Sequence, residues 1–139
     1  MKLINPFDIR DNRNDLLLLL LRITFGGLMF LNHGLGKFGR LTGGEEIKFF
    51  DFMGLGPEIS LSLVVFAEVA CALLIVFGLF TRLATIPLIF TMLVAVFMIH
   101  WNDPFKDKEM AILYLIPFII LFLKGAGKFS LDGILESEF

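Results

Sequence analysis

The chain has 139 residues, 57% of them hydrophobic and 19% charged, with a mean hydropathy of +0.84 and a net charge of −2. A chain this short cannot hide so much apolar surface in a water-soluble core, and it is too apolar to be disordered, so a soluble enzyme and a disordered protein are both excluded. The slightly acidic balance argues against nucleic acid as a partner, and a single cysteine, Cys71, leaves no internal disulfide and no CxxC redox pair.

The first fourteen residues are polar and charged, and no small-residue cleavage site follows the first apolar run. The first helix therefore reads as a retained insertion signal, with Asn14 and Asp15 as its expected N-caps. Spanning the hydrocarbon core takes roughly 20 mostly apolar residues. Four segments reach or approach that length: about Asp15–Gly36, Ser60–Phe80, Leu83–Trp101 and Glu109–Leu123. The last is short and spans only if Lys124 snorkels or the helix continues to Gly127. All four are apolar on every side, whereas barrel strands alternate, so they read as helices.

The expected fold is an all-α membrane protein: one domain over residues 1–139, an up-down four-transmembrane-helix bundle. The connection near Thr81 and Arg82 is very short, as is that from Asn102 to Lys108. The first loop, Lys37–Ile59, is long. Within it Glu45–Met53 mixes Ile47, Phe49, Phe50, Phe52 and Met53 with four charged residues, a composition suited to a short interfacial helix. This stretch is either an anchored loop or a lid over a site between the helices. An even number of spans puts both ends on one side. The Lys and Arg count is six on the terminal side against five on the other, which favours cytoplasmic termini in a bacterial inner membrane.

Ionisable residues inside apolar spans are costly and usually face the protein interior. Arg22, His33 and Lys37 share a stripe of the first helix with Gly26, since eleven residues bring the helix face round to within about 20°. Glu68 lies about 12 Å into the second span, and His100 and Glu109 stand at the facing ends of the third and fourth. His33, Lys37, Glu68, His100 and Glu109 should thus converge in one leaflet, with Arg22 reaching toward mid-membrane. Interfacial anchoring competes for Lys37, His100 and Glu109. For Glu68 the competing role is a structural ion pair with Arg22 or Lys37. The two histidines and two carboxylates lack a metal-ligand spacing, so a transition metal or haem is the lesser expectation.

The run LLLLLLRITFGGLMFLNHGLGKF, with Arg22, Gly26, His33, Gly34 and Lys37, followed by Glu68, the GLFTR turn (Gly78–Arg82), His100 before KEMAILYL and the closing GAGKFSLD (Gly125–Asp132), resembles the DoxX family of small bacterial membrane proteins. The resemblance covers about Leu16 to Asp132 and implies the four-helix fold. Members are usually described as candidate oxidoreductase subunits, some linked to redox-defence proteins, and related eukaryotic proteins look like membrane assembly factors. Two functions therefore compete. One is a redox subunit with a quinone site: His33, Lys37 or His100 donating to a carbonyl, Glu68 or Glu109 relaying protons, Trp101 and Tyr114 orienting the head group, with Arg22 completing the polar cavity. Lacking a flavin motif or a cysteine set, such a chain needs a protein partner for electrons. The other is a non-enzymatic assembly factor or small-ligand binder whose buried charges fix helix register. Either is compatible with an oligomer in the bilayer.

Overall fold

A computed structural model describes residues 6–138, which fold into helices joined by loops and contain no strand. Helix α1 begins at Pro6 and runs without a break through Asn12–Thr42. It is followed by α2 (Pro57–Phe77), α3 (Thr81–Ile99), α4 (Phe105–Lys124) and a short α5 (Leu131–Glu138). Three of these, in α1, α2 and α3, are long and apolar enough to cross a membrane. Helix α4 has twenty residues, but Lys106, Asp107, Lys108 and Glu109 crowd its first turn.

Neighbouring helices pack in chain order, α1 against α2 and α3 against α4 most extensively, and α4 returns to the first half of α1. The core runs through Met29, Ala67, Cys71, Ile75, Leu88, Tyr114 and Phe118. Small residues set the closest approach. A Cβ on Gly34 would stand 2.5 Å from the carbonyl oxygen of Glu68, so α1 meets α2 backbone to backbone there. Four π-helical stretches interrupt the α-helical hydrogen bonding: Arg22–Gly26 and Met29–Gly34 in α1, Phe66–Cys71 in α2 and Ala95–Ile99 in α3. Such bulges re-aim side chains and collect at functional positions. Here they carry Arg22, His33 and Glu68.

Several boundaries differ from expectation. Asn14 and Asp15 lie inside α1 and do not cap it; Asp15 instead accepts from the Lys128 amide at 3.0 Å. Helix α4 gains length at its start, directly after Pro104, and stops at Gly125, whose φ of 80° ends the helix. No helix forms in Glu45–Met53. Gly43 and Gly44 precede that stretch, and positive φ at Met53, Gly54 and Gly56 turns the chain sharply into α2. These turns bound the stretch on both sides.

The α2–α3 turn is built with care. Leu79 N–H donates to Leu74 O at 2.9 Å and Gly78 N–H to Ile75 O at 3.1 Å, a Schellman closure that places Gly78 at φ 70°. Phe80, also left-handed at φ 49°, leads into α3. The first turn of α3 is capped from far along the chain: Asp132 Oδ1 accepts from Phe80 N–H at 2.8 Å and Oδ2 from Thr81 N–H at 3.0 Å. A carboxylate at a helix N-terminus satisfies orphan donors and opposes the helix dipole. Asp132→Ala is therefore expected to cost about 1–2 kcal/mol in thermal unfolding of the detergent-solubilised protein, with Asp132→Asn recovering part of it.

Candidate functional site

Near the end of the molecule that carries loop 43–56, α1, α2, α3 and α4 enclose a cavity of ≈ 760 Å³. Its polar residues come from all four helices: His33 and Lys37 (α1), Ser60 and Glu68 (α2), Thr91 (α3), Tyr114 and Asp107 (α4), with His100 just past α3. Its remaining walls are chiefly apolar, including Phe66, Pro87 and Phe90. Loop 43–56 contributes Lys48, Phe49, Phe50 and Phe52 to the lining at this end of the cavity, a position common to the anchored-loop and the lid role expected for it.

Lys37 and Glu68 form the electrostatic centre. Lys37 Nζ lies 2.8 Å from both Glu68 oxygens. Glu68 is almost wholly buried, at 2% exposure, and Lys37 is about a quarter exposed, at 24%. A buried carboxylate persists only when paired and hydrogen-bonded, and here one ammonium serves both oxygens. His33 meets Tyr114 edge to face with centroids 5.3 Å apart, and Tyr114 packs in turn on Phe25 and Phe118. The Tyr114 ring is therefore in contact with three other rings, His33 on the cavity side among them. His100 Nδ1 is 2.7 Å from Asp103 Oδ2. Because a carboxylate only accepts, Nδ1 carries the proton of that contact, which leaves Nε2 as the acceptor nitrogen of the neutral ring.

The loop is tied down by specific contacts. Arg40 Nη2 donates to Lys48 O at 2.7 Å, and its guanidinium lies 5.9 Å from the Phe49 ring centre. Phe52 N–H donates to Ser60 Oγ at 2.9 Å, and its ring meets Phe90 edge to face at 5.7 Å.

Of the expected site residues, the structure thus brings His33, Lys37, Glu68, His100 and Tyr114 to one cavity. It does not bring Arg22, Glu109 or Trp101 there. Arg22 is buried at the opposite end, where Nη1 donates to Val76 O at 3.1 Å and Ile75 O at 3.5 Å, and Nη2 donates to Phe129 O. The Ile75 and Val76 carbonyls belong to the last turn of α2, so Arg22 is a C-terminal cap for α2; among the described residues it forms no ion pair, and Asp132 is the carboxylate that acts on it through space. Glu109 is exposed in the first turn of α4. Trp101 lies on the surface against Phe97 and beneath Lys108, whose Nζ donates to the Trp101 carbonyl at 2.8 Å. Sequence reasoning missed Asp103, Ser60 and Thr91. The spacing of Asp103 three residues after His100 was the one available signal. Among the described residues, no three His, Cys, Asp or Glu side chains gather to hold a metal ion.

Comparison with known proteins identifies the family. The family model described as DoxX matches residues 17–101. The chain is 33% identical over 115 residues, 82% of its length and 83% of the relative's, to the protein named "Putative oxidoreductase CatD" of Bacillus subtilis (strain 168). It is 27% identical over 129 residues, 88% of its length and 85% of the relative's, to an uncharacterized protein of Haemophilus influenzae. No solved structure matches. The family match spans more than half of the chain and takes in α2, α3 and the greater part of α1, including His33, Lys37, Glu68 and His100. The protein is a member of the DoxX family.

Proposed function

We propose that this chain is the membrane subunit of an oxidoreductase system, a four-helix transmembrane bundle whose lidded cavity binds a quinone. One observation carries the reading: His33, Lys37, Glu68, His100 and Tyr114 share a cavity of ≈ 760 Å³ whose other walls are mainly apolar. That volume lies within the range of small-molecule sites, and few polar groups on apolar walls is the usual composition of one. A quinone head offers two carbonyl acceptors. Lys37 and His33 stand on one helix as donors, and His100, whose Nδ1–H is directed to Asp103, donates through Nε2 in its doubly protonated form. Reduction to the quinol takes up two electrons and two protons. Glu68 and the histidines serve the proton side. The electrons come from a protein partner, since a single cysteine supplies neither a cluster nor a redox pair. The printed name of the Bacillus relative is consistent with this role. The bundle sits in the bacterial cytoplasmic membrane with both chain ends on the cytoplasmic side.

A second reading has its own observation. Lys37 uses both Glu68 oxygens, so the pair is satisfied without any ligand. That closure suits a non-enzymatic assembly factor or binder whose charges lock helix register.

The test is extraction and mass spectrometry of protein purified from its native membrane, followed by titration with a short-chain ubiquinone analogue. A stoichiometric quinone is expected, with binding weakened at least about tenfold in His33→Ala and His100→Ala at unchanged melting temperature, the loss of roughly one hydrogen bond each. A sample holding only lipid, with no saturable titration, removes the quinone reading and leaves the assembly-factor one.

A further inference from the structure

The cavity has a polar end and an apolar end, and the apolar end is not sealed. Helices α2 and α3 pack together along Phe66–Phe77, but the first part of α2, Pro57–Val65, makes no comparable contact with α3. The two helices diverge there. Leu63 and Phe66 on α2 and Phe90 on α3 line the cavity, yet they are 51%, 56% and 54% exposed. A residue that faces a cavity and the outside together marks a rim. Phe66 lies about 13 Å along α2 from its start, and Phe90 about 13 Å along α3 from its end, both inside the depth of the hydrocarbon. The end of the cavity nearer the aqueous phase is covered by Phe49, Phe50 and Phe52 of the loop, held by Arg40 and Ser60. Phe52 reaches down to Phe90 and borders the slot from above.

We infer that the cavity is loaded from within the bilayer, through the slot between the diverging halves of α2 and α3, by a lipid-dissolved amphiphile whose apolar chain stays in that slot. This rests on the small-molecule site proposed above and narrows its ligand to molecules that partition into lipid. The head lies among His33, Lys37 and His100; the chain runs past Phe90 and Phe66 to the acyl region. A compact water-soluble substrate has no use for a cavity lidded toward water and open toward lipid.

Two measurements on the full chain in nanodiscs test it. In a Trp101→Phe background the protein has no other tryptophan. The Phe90→Trp variant, placed in dibrominated phosphatidylcholine, is expected to be quenched as strongly as the Phe97→Trp variant, since Phe97 is 56% exposed on the same helix and lies outside the cavity. An unquenched Phe90→Trp overturns the lateral slot. Second, a benzoquinone carrying a decyl tail with a terminal diazirine is irradiated and its label mapped by peptide mass spectrometry. Labelling of Leu63, Phe66 or Phe90, competed by unlabelled quinone, is expected. Labelling confined to residues 48–52, or to faces of α1 and α4, overturns the inference. Absence of competable labelling, with Phe90→Trp still quenched, supports a lipid-facing slot and counts against the quinone itself.

Discussion

Lys37→Met is expected to lower the stability of the purified protein by about 3 kcal/mol, the lower end of the cost of stripping one partner from a buried ion pair, because Lys37 retains some contact with solvent. Glu68 is then left with 2% exposure and neither of its two 2.8 Å contacts. Combining Lys37→Met with Glu68→Leu should restore most of the loss, since apolar replacement of a whole buried pair is often neutral or stabilising. The measurement is a thermal double-mutant cycle in detergent, where a coupling energy near zero would show that the pair contributes nothing to stability. The cycle also separates the two functional readings. If the double variant is as stable as the parent but no longer binds quinone, the pair belongs to the site rather than to the scaffold. Charge reversal at Arg22 and Glu68 together is expected to rescue nothing, because Arg22 faces the end of α2 and not the carboxylate.

Gly34→Ala carries the second large effect. The added Cβ would lie 2.5 Å from Glu68 O and 2.9 Å from Val69 Cγ2. The nearer neighbour is backbone, so no rotamer change relieves it, and α1 and α2 must separate. Overpacking of this kind costs about 1–3 kcal/mol. The displaced backbone is that of Glu68 itself, so the Lys37 contact loosens and ligand binding weakens with the stability. Gly36→Ala is the matched control: nothing lies within 4 Å of its Cβ, and neither stability nor binding should fall. Equal behaviour of the two variants in a melting and titration series would remove the claim that Gly34 sets the site.

The polar cluster was legible in the sequence because cost and depth are readable there. Glu68 and His33 interrupt apolar runs, and counting residues from each helix end brings them to one level with Lys37 and His100. The same reasoning misplaced Arg22. Its partners are carbonyls of Val76, Ile75 and Phe129, and carbonyls leave no mark on a sequence. Glu109 and Trp101 sit at helix ends, where a residue can as easily face the interface as the interior. The composition of Glu45–Met53 suited an interfacial helix, yet the glycines around it impose turns that composition does not register. Those turns are what fold Phe49, Phe50 and Phe52 over the cavity.

The segment after α4 has a consequence for the order in which the molecule is completed. Arg22 is translated early and enters the membrane with α1, while one of its acceptors, the Phe129 carbonyl, is made more than a hundred residues later. The same late segment brings Asp132 to the start of α3 and a backbone donor to Asp15. Until it arrives, a guanidinium and the opening turn of a helix both wait with unmet hydrogen bonds. Insertion of the long helices is therefore not the last step of assembly. The ribosome must deliver residues 125–132 before the terminal face closes, and a chain that stops short of them leaves those hydrogen bonds unmade.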